Sequence, residues 1–236
     1  MGKRIIQQAR GHGSGTYRVK RRAFRFKTGY PLNLQGEGQV VKLLNSTGHS
    51  APLAKVSYQK NGKRECFYIP AFKEMYEGQK IILDDKEAKI GSVLRLADIP
   101  IKKQVYCVES KPGDGGVFMK SAGSSGVISK VVGKKTYIQM PSKKEKAFNQ
   151  DCRAIVGVAA GSGRLDKPIV KAGRGHYIHK SKGKLWPRTS AVKVNVIDHP
   201  FGSGRGKNPK SKIPKRNAPP GRKVGLLRAR RTGKRK

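Results

Sequence analysis

Residues 53–69 read LAKVSYQKNGKRECFYI, two β-prone runs meeting at Asn61-Gly62. A type I′ turn needs positive φ at both central residues, which Asn and Gly tolerate best, so the spacing predicts a hairpin with strands at 53–59 and 64–69. Gln39 to Leu44 makes a strand upstream. Downstream, short β-branched and apolar runs recur at 80–83, 90–96, 105–108, 117–120, 127–132, 136–140 and 153–158, separated by Gly, Pro, Asp and Lys. This is the pattern of small barrels or sandwiches. No sustained 3.6-residue period occurs, although Ala71 to Tyr76 fits one short helical turn. Either one sandwich or two small barrels would satisfy the pattern; the charged run Asp84-Asp85-Lys86-Glu87 favours a division there into two.

Charge sets these runs apart from what flanks them. The 236 residues carry 53 Lys plus Arg against 14 Asp plus Glu, a formal net charge of +39. Even with every acid paired, the remaining cations repel one another, so the composition calls for a polyanionic partner. Residues 1–36 hold nine bases and no acid, and residues 161–236 hold 23 bases and two acids. Twelve of the fourteen acids therefore lie in 37–160, where mixed signs suit a folded surface. The flanks read as basic arms that order on nucleic acid.

Several function classes are excluded. No apolar run approaches the ~20 residues of a membrane helix, and Met1 to Gln8 turns polar too early for a signal peptide. The product is expected to stay in the cytoplasm. Cys66, Cys107 and Cys152 show no C-x-x-C spacing and read as reduced, small core residues. Gly202 to Lys207 ends like a phosphate-cradling loop, but Phe201 and Asn208 stand where a P-loop needs Gly and Ser or Thr. Asp198-His199 gives no basis for a catalytic relay, because sequence neighbours in extended chain generally point apart. His176 and His179 have helical spacing for a metal but no third ligand nearby. Neither catalytic residues nor a cofactor are assigned.

In the first flank, Arg10 to Gly15 precedes a basic run from Arg18 to Lys27 interleaved with Phe24 and Phe26. Cations neutralise phosphates and aromatic faces receive unstacked bases. The last 35 residues hold 14 bases, no acid and four prolines, too little apolar surface to fold alone but suited to wrapping a phosphate-rich surface.

Eight stretches stand out in order along nearly the whole chain: Ala51 to Val56, Glu109 to Gly116 with Ser121-Ala122-Gly123, Arg153 to Gly163, Arg164 to Ile169, Lys171 to Arg174, Trp186-Pro187-Arg188, Asp198 to Gly202 and Ala218 to Leu226. Together they resemble a known family, the universal ribosomal protein two of the large subunit, in its archaeal and eukaryotic cytosolic form. Ser203 departs from the family's run of glycines, and Thr189 to Val194 departs from its usual segment.

The resemblance implies an all-β fold: a basic extension at 1–36, an OB-like barrel at 37–85, an SH3-like barrel at 86–165 and an extended basic RNA-binding region at 166–236. It implies a structural constituent of the large ribosomal subunit that binds its ribosomal RNA, meets neighbouring ribosomal proteins, and supports assembly and association near the peptidyl transferase centre. A contact with the small subunit belongs to the same picture; membranes and small-molecule substrates do not. The rival class is an RNA-modifying enzyme or translation factor with basic arms.

On this reading, Arg4, Arg10, Arg18, Lys20, Arg21 and Arg22 contact RNA from the first flank. Lys111, Lys120 and Lys171 act as point charges on phosphates, as do Lys180, Lys182, Lys184, Lys207 and Lys223. Arg174, Arg188, Arg205 and Arg222 pair bidentately or stack. Gly202 and Gly204, like Gly113, Gly115 and Gly116, either admit RNA backbone or make ordinary turns. Trp186 is a base-stacking platform or a lid on the second barrel; His176 and His199 contact RNA, His199 alternatively fixing its own turn.

Overall fold

A computed structural model describes residues 5–32, 34–84, 87–203, 213–214, 216–219 and 223–225. The hairpin is present: β2 (Leu53–Lys60) and β3 (Lys63–Pro70) pair in register from Leu53↔Pro70 to Lys60↔Lys63. Asn61 and Gly62 take φ of 50° and 75°, as a type I′ turn requires. β1 (Gly36–Leu44) lies against β2 with a bulge between Val40 and Lys42, and β4 (Lys80–Leu83) pairs with its other edge.

The second group of strands is β5 (Val93–Arg95), β6 (Gln104–Tyr106), β7 (Gly126–Val132), β8 (Lys135–Gln139), β9 (Glu145–Asn149) and β10 (Arg153–Val156). The order β3-β2-β1-β4-β5-β10-β6-β7-β8-β9 makes one sheet, joined at its middle by a single parallel pairing, Leu83↔Val93. That seam falls beside the charged run that suggested a division. The chain is mostly β, in agreement with the expected all-β class.

A continuous apolar core runs through both groups, including Val40, Val56, Ile69 and Leu83 from the first and Leu94, Tyr106, Ile128, Ile138 and Ile155 from the second. Burying each such side chain contributes ~1.5–3 kcal/mol. The Tyr106 hydroxyl donates to the Pro70 carbonyl at 2.9 Å, a direct tie from β6 to β3.

The described residues divide into two compact units, one within residues 20–174 and the other made of those before residue 20 and those after residue 174. Residues 20–36, expected as arm, belong with the sheet: Tyr30 and Leu34 are core residues. Charge counting misses this because the segment carries its bases early and its apolar anchors late. Helix α1 (Ile6–Gly11) lies in the first basic flank, and helix α2 (Ala172–Ser181) stands where extended chain was expected.

Three local expectations also change. Residues 117–120 form only a bridge, Val108↔Phe118, because Met119 has φ 55°. Ala71 to Tyr76 makes a turn rather than helix, with Glu74 at φ 70°. Cys66 is exposed toward the charged end of β3, whereas Cys107 and Cys152 are buried.

Candidate nucleic-acid interface

The loop from Glu109 to Gly116 is built from a buried charge outward. Glu109 is fully buried; its Oε1 accepts from the Gly115 N–H and from Arg153 Nη2, both at 3.1 Å, and its Oε2 accepts from the Arg153 N–H at 2.8 Å. Arg153 Nη1 donates to the carbonyls of Pro31 and Leu32 at 2.8 and 2.9 Å, and its guanidinium lies over the Tyr30 ring at 4.9 Å. A buried pair this completely hydrogen-bonded fixes geometry, since either charge alone would be costly.

Tyr30 completes the network, its hydroxyl 2.8 Å from the Cys107 carbonyl and 2.7 Å from that of Arg153. Burial raises its pKa well above the ordinary value, as it does for Cys107, whose thiol is pushed up to about 12. Residues 28–34 thus form a strap: the Gly29 N–H donates to the Tyr68 carbonyl in β3, and the Tyr30 N–H to the Gly115 carbonyl.

Within the loop, the Asp114 carboxylate accepts from the N–H groups of Ser110, Lys111 and Gly116. Lys111 projects from this frame, exposed. Lys120 is half-buried and donates to the carbonyls of Thr28 and Gly116 at 2.9 and 3.0 Å, so much of its capacity serves the strap. Gly113, Gly115 and Gly116 all have positive φ, and a Cβ at Gly115 would meet the Tyr30 carbonyl oxygen at 3.1 Å. Their freedom serves the chain's own packing.

Arg21 and Arg22 are exposed on a 3-10 turn, Arg21–Phe24, and Lys20 precedes it. The turn is pinned by buried Ala23, whose carbonyl accepts from the Gly48 N–H at 2.7 Å and from Ser46 Oγ at 3.3 Å. Phe24 packs edge-on against His49 and Phe26 against Tyr68. The His49 pKa is lowered, first by burial and then by the Lys120 charge. Lys171 is exposed just before α2, and Arg174 is exposed within it.

In the other unit, Arg10 lies in the last turn of α1, Arg18 is exposed, and Lys223 with Val224 lines a depression beside α1. α2 contains two glycines, poor helix formers, yet Gly175 gives Trp186 its seat: a Cβ there would meet the indole at 3.2 Å. Trp186 stacks on His179, centroids 5.3 Å apart and planes 12° apart, while His179 Nδ1 lies 2.7 Å from the Gly175 carbonyl. His176 and Lys180 are exposed along α2; Lys184 and Arg188 are exposed beyond it, and Lys182 is half-buried.

His199 is buried, and its Nδ1 accepts from the Phe201 N–H at 3.0 Å. Burial lowers its pKa. The imidazole is therefore engaged in its own turn, the second of the two roles expected for it. A Cβ on Gly202 would strike the carbonyl oxygens of Val194 and Asn195, so protein backbone occupies the space expected for RNA backbone. Arg4, Gly204, Arg205, Lys207 and Arg222 lie outside the described residues.

Among the described residues, no group of three or more His, Cys, Asp or Glu is arranged to hold a metal ion, and no helix is long and apolar enough to cross a membrane. The sequence alone did not reveal the Glu109–Arg153 pair, whose members are 44 residues apart. Its one local signal was an arginine opening an otherwise apolar strand.

A family described as Ribosomal Proteins L2, C-terminal domain, matches residues 89–220. Three relatives, each called large ribosomal subunit protein uL2, align over 100% of both chains. The Hyperthermus butylicus protein is 42% identical over 240 residues. The Archaeoglobus fulgidus protein is 40% identical over 242 residues, and that of Methanococcoides burtonii 40% over 244.

Proposed function

Because the chain belongs to the uL2 family of large-subunit ribosomal proteins, we propose that it is a structural, RNA-binding constituent of the large ribosomal subunit. The observation that carries this reading is similarity over the full length of relatives bearing that name, in a chain of charge +39. The folded β core supplies a rigid anchor, and the unbalanced cations screen phosphate repulsion where RNA strands approach.

Within that reading the OB-like barrel spans 37–85 and the SH3-like barrel 86–165, with 1–36 and 166–236 as the basic RNA-binding regions. Lys111, Lys171 and Arg174 are the exposed groups best suited to phosphate contact, and Lys20, Arg21, Arg22, His176, Lys180, Lys184 and Arg188 extend that surface. Trp186 offers RNA the indole face turned away from His179. The role is mechanical: RNA does the bond-forming chemistry, and His199 shapes a turn rather than moving protons. Neighbouring ribosomal proteins, a small-subunit contact, cytoplasmic location and proximity to the peptidyl transferase centre complete the proposal.

Sedimentation of extract at moderate salt tests it. The chain is expected to travel stoichiometrically with the large subunit. Recovery mainly in light fractions, or in trace amounts on subunits, would overturn the reading.

A further inference from the structure

Between the 3-10 turn at Arg21–Phe24 and the end of β1 lies a groove of about 570 Å³. Arg21, Arg22 and Arg25 line it together with Phe26, Leu44 and the segment Asn45 to Thr47. Among the described residues, none of the eight ion pairs engages these arginines. The turn that carries them is held rigidly through Ala23, whose carbonyl is bonded by Gly48 and Ser46. Phe26 is seated on Tyr68 at 4.9 Å, and the Arg25 guanidinium lies 5.8 Å from its ring centroid.

We propose that this groove is a binding site for one unpaired segment of RNA, with its phosphates on the three guanidiniums and a base against Phe26 and Leu44. Three cations on a pinned turn beside an apolar floor, with no carboxylate among the lining residues, match a ligand that alternates phosphates with flat apolar faces. A duplex keeps its base faces stacked inside the helix, whereas an unpaired base has a face to offer an aromatic ring or an arginine plane. An acidic peptide would satisfy the cations but leave the floor uncovered. Exposed Asn45 brings an amide group suited to base edges or a ribose 2′-hydroxyl. The inference rests on the chain being an RNA binder and adds the form of RNA and the residues that take it.

The test uses the full chain and a labelled ten-nucleotide single-stranded RNA, at several salt concentrations. Arg21→Gln, Arg22→Gln and Arg25→Gln are combined, and a control combines Lys63→Gln, Lys134→Gln and Lys135→Gln, removing the same charge from exposed positions elsewhere. All six side chains are exposed, so both variants should keep the parent's thermal midpoint.

Loss of three phosphate contacts should weaken binding by about tenfold or more and flatten the log–log salt dependence by about 2, with a clearly smaller effect in the control. Duplex RNA of the same length should respond equally to the two triples. Photo-crosslinking a thiouridine-containing strand to the parent chain should label peptides containing Phe26 or Leu44 to Thr47. Equal loss of single-strand affinity in both triples, crosslinks only elsewhere, or competition by polyglutamate as strong as by RNA overturns the assignment. A groove that fails while the chain still travels with large subunits leaves the functional reading intact; a chain absent from subunits fails that reading whatever the groove binds.

Discussion

Glu109 and Arg153 are the two residues on which the loop and the strap both depend. With Glu109 fully buried and Arg153 8% exposed at its side chain, Glu109→Ala leaves a guanidinium uncompensated, and we expect a loss of about 3–5 kcal/mol in chemical denaturation. Tyr30→Phe removes one shared hydroxyl and should cost about 1–2 kcal/mol, because its two carbonyl acceptors stay buried. His49 gives a pH signature. Its folded pKa lies below 6.5, so between those values the unfolded chain binds more protons and stability rises with pH. The denaturation midpoint should therefore fall as pH drops from about 7.5 to 5.5, and His49→Gln should flatten that fall, with His199 supplying a residual slope of the same sign. Thiol chemistry separates the cysteines: iodoacetamide should modify exposed Cys66 in the native chain. Cys107 and Cys152, pushed up to about 12 and about 11 mainly by burial, should react only after denaturation, as peptide mapping can check.

Among the elements, β9 shows what a strand needs once it is not written in apolar residues. Glu145–Asn149 buries only Phe148, which packs edge-on against Phe118 at 5.3 Å, while Lys146 lies 3.7 Å from the Phe118 centroid. Phe148→Ala should cost about 3–5 kcal/mol, measured by thermal or urea unfolding. The hairpin, β4, β7, β8 and β10 were legible because apolar or β-branched residues and turn signals agree there. β9 was not, because an edge strand held by one ring and its ladder to β8 has almost no local pattern. α2 was hidden for a different reason: its two glycines argue against helix, and only the fold shows that one of them, Gly175, admits the Trp186 packing. The exposed bases of the interface were readable from composition. The work of Gly115 and Gly202 was not, since only the folded chain shows which backbone approaches them.

For the whole molecule, the governing quantity is a charge of +39, most of it in the segments that flank a continuous apolar β core. If roughly ten cations each neutralise one phosphate of single-stranded RNA, the log–log dependence of affinity on salt should have a slope near −7, and titrations at several ionic strengths will measure it. The strap adds a consequence for how such a chain is made. Tyr30 leaves the translating ribosome early, but its hydroxyl partners lie 77 and 123 residues later in the sequence. Vectorial synthesis therefore obliges the Tyr30 end of the strap to wait, only partly docked, until Arg153 has emerged. A truncated nascent chain ending before Arg153 should leave that segment open to protease, and one extended past β10 should close over it.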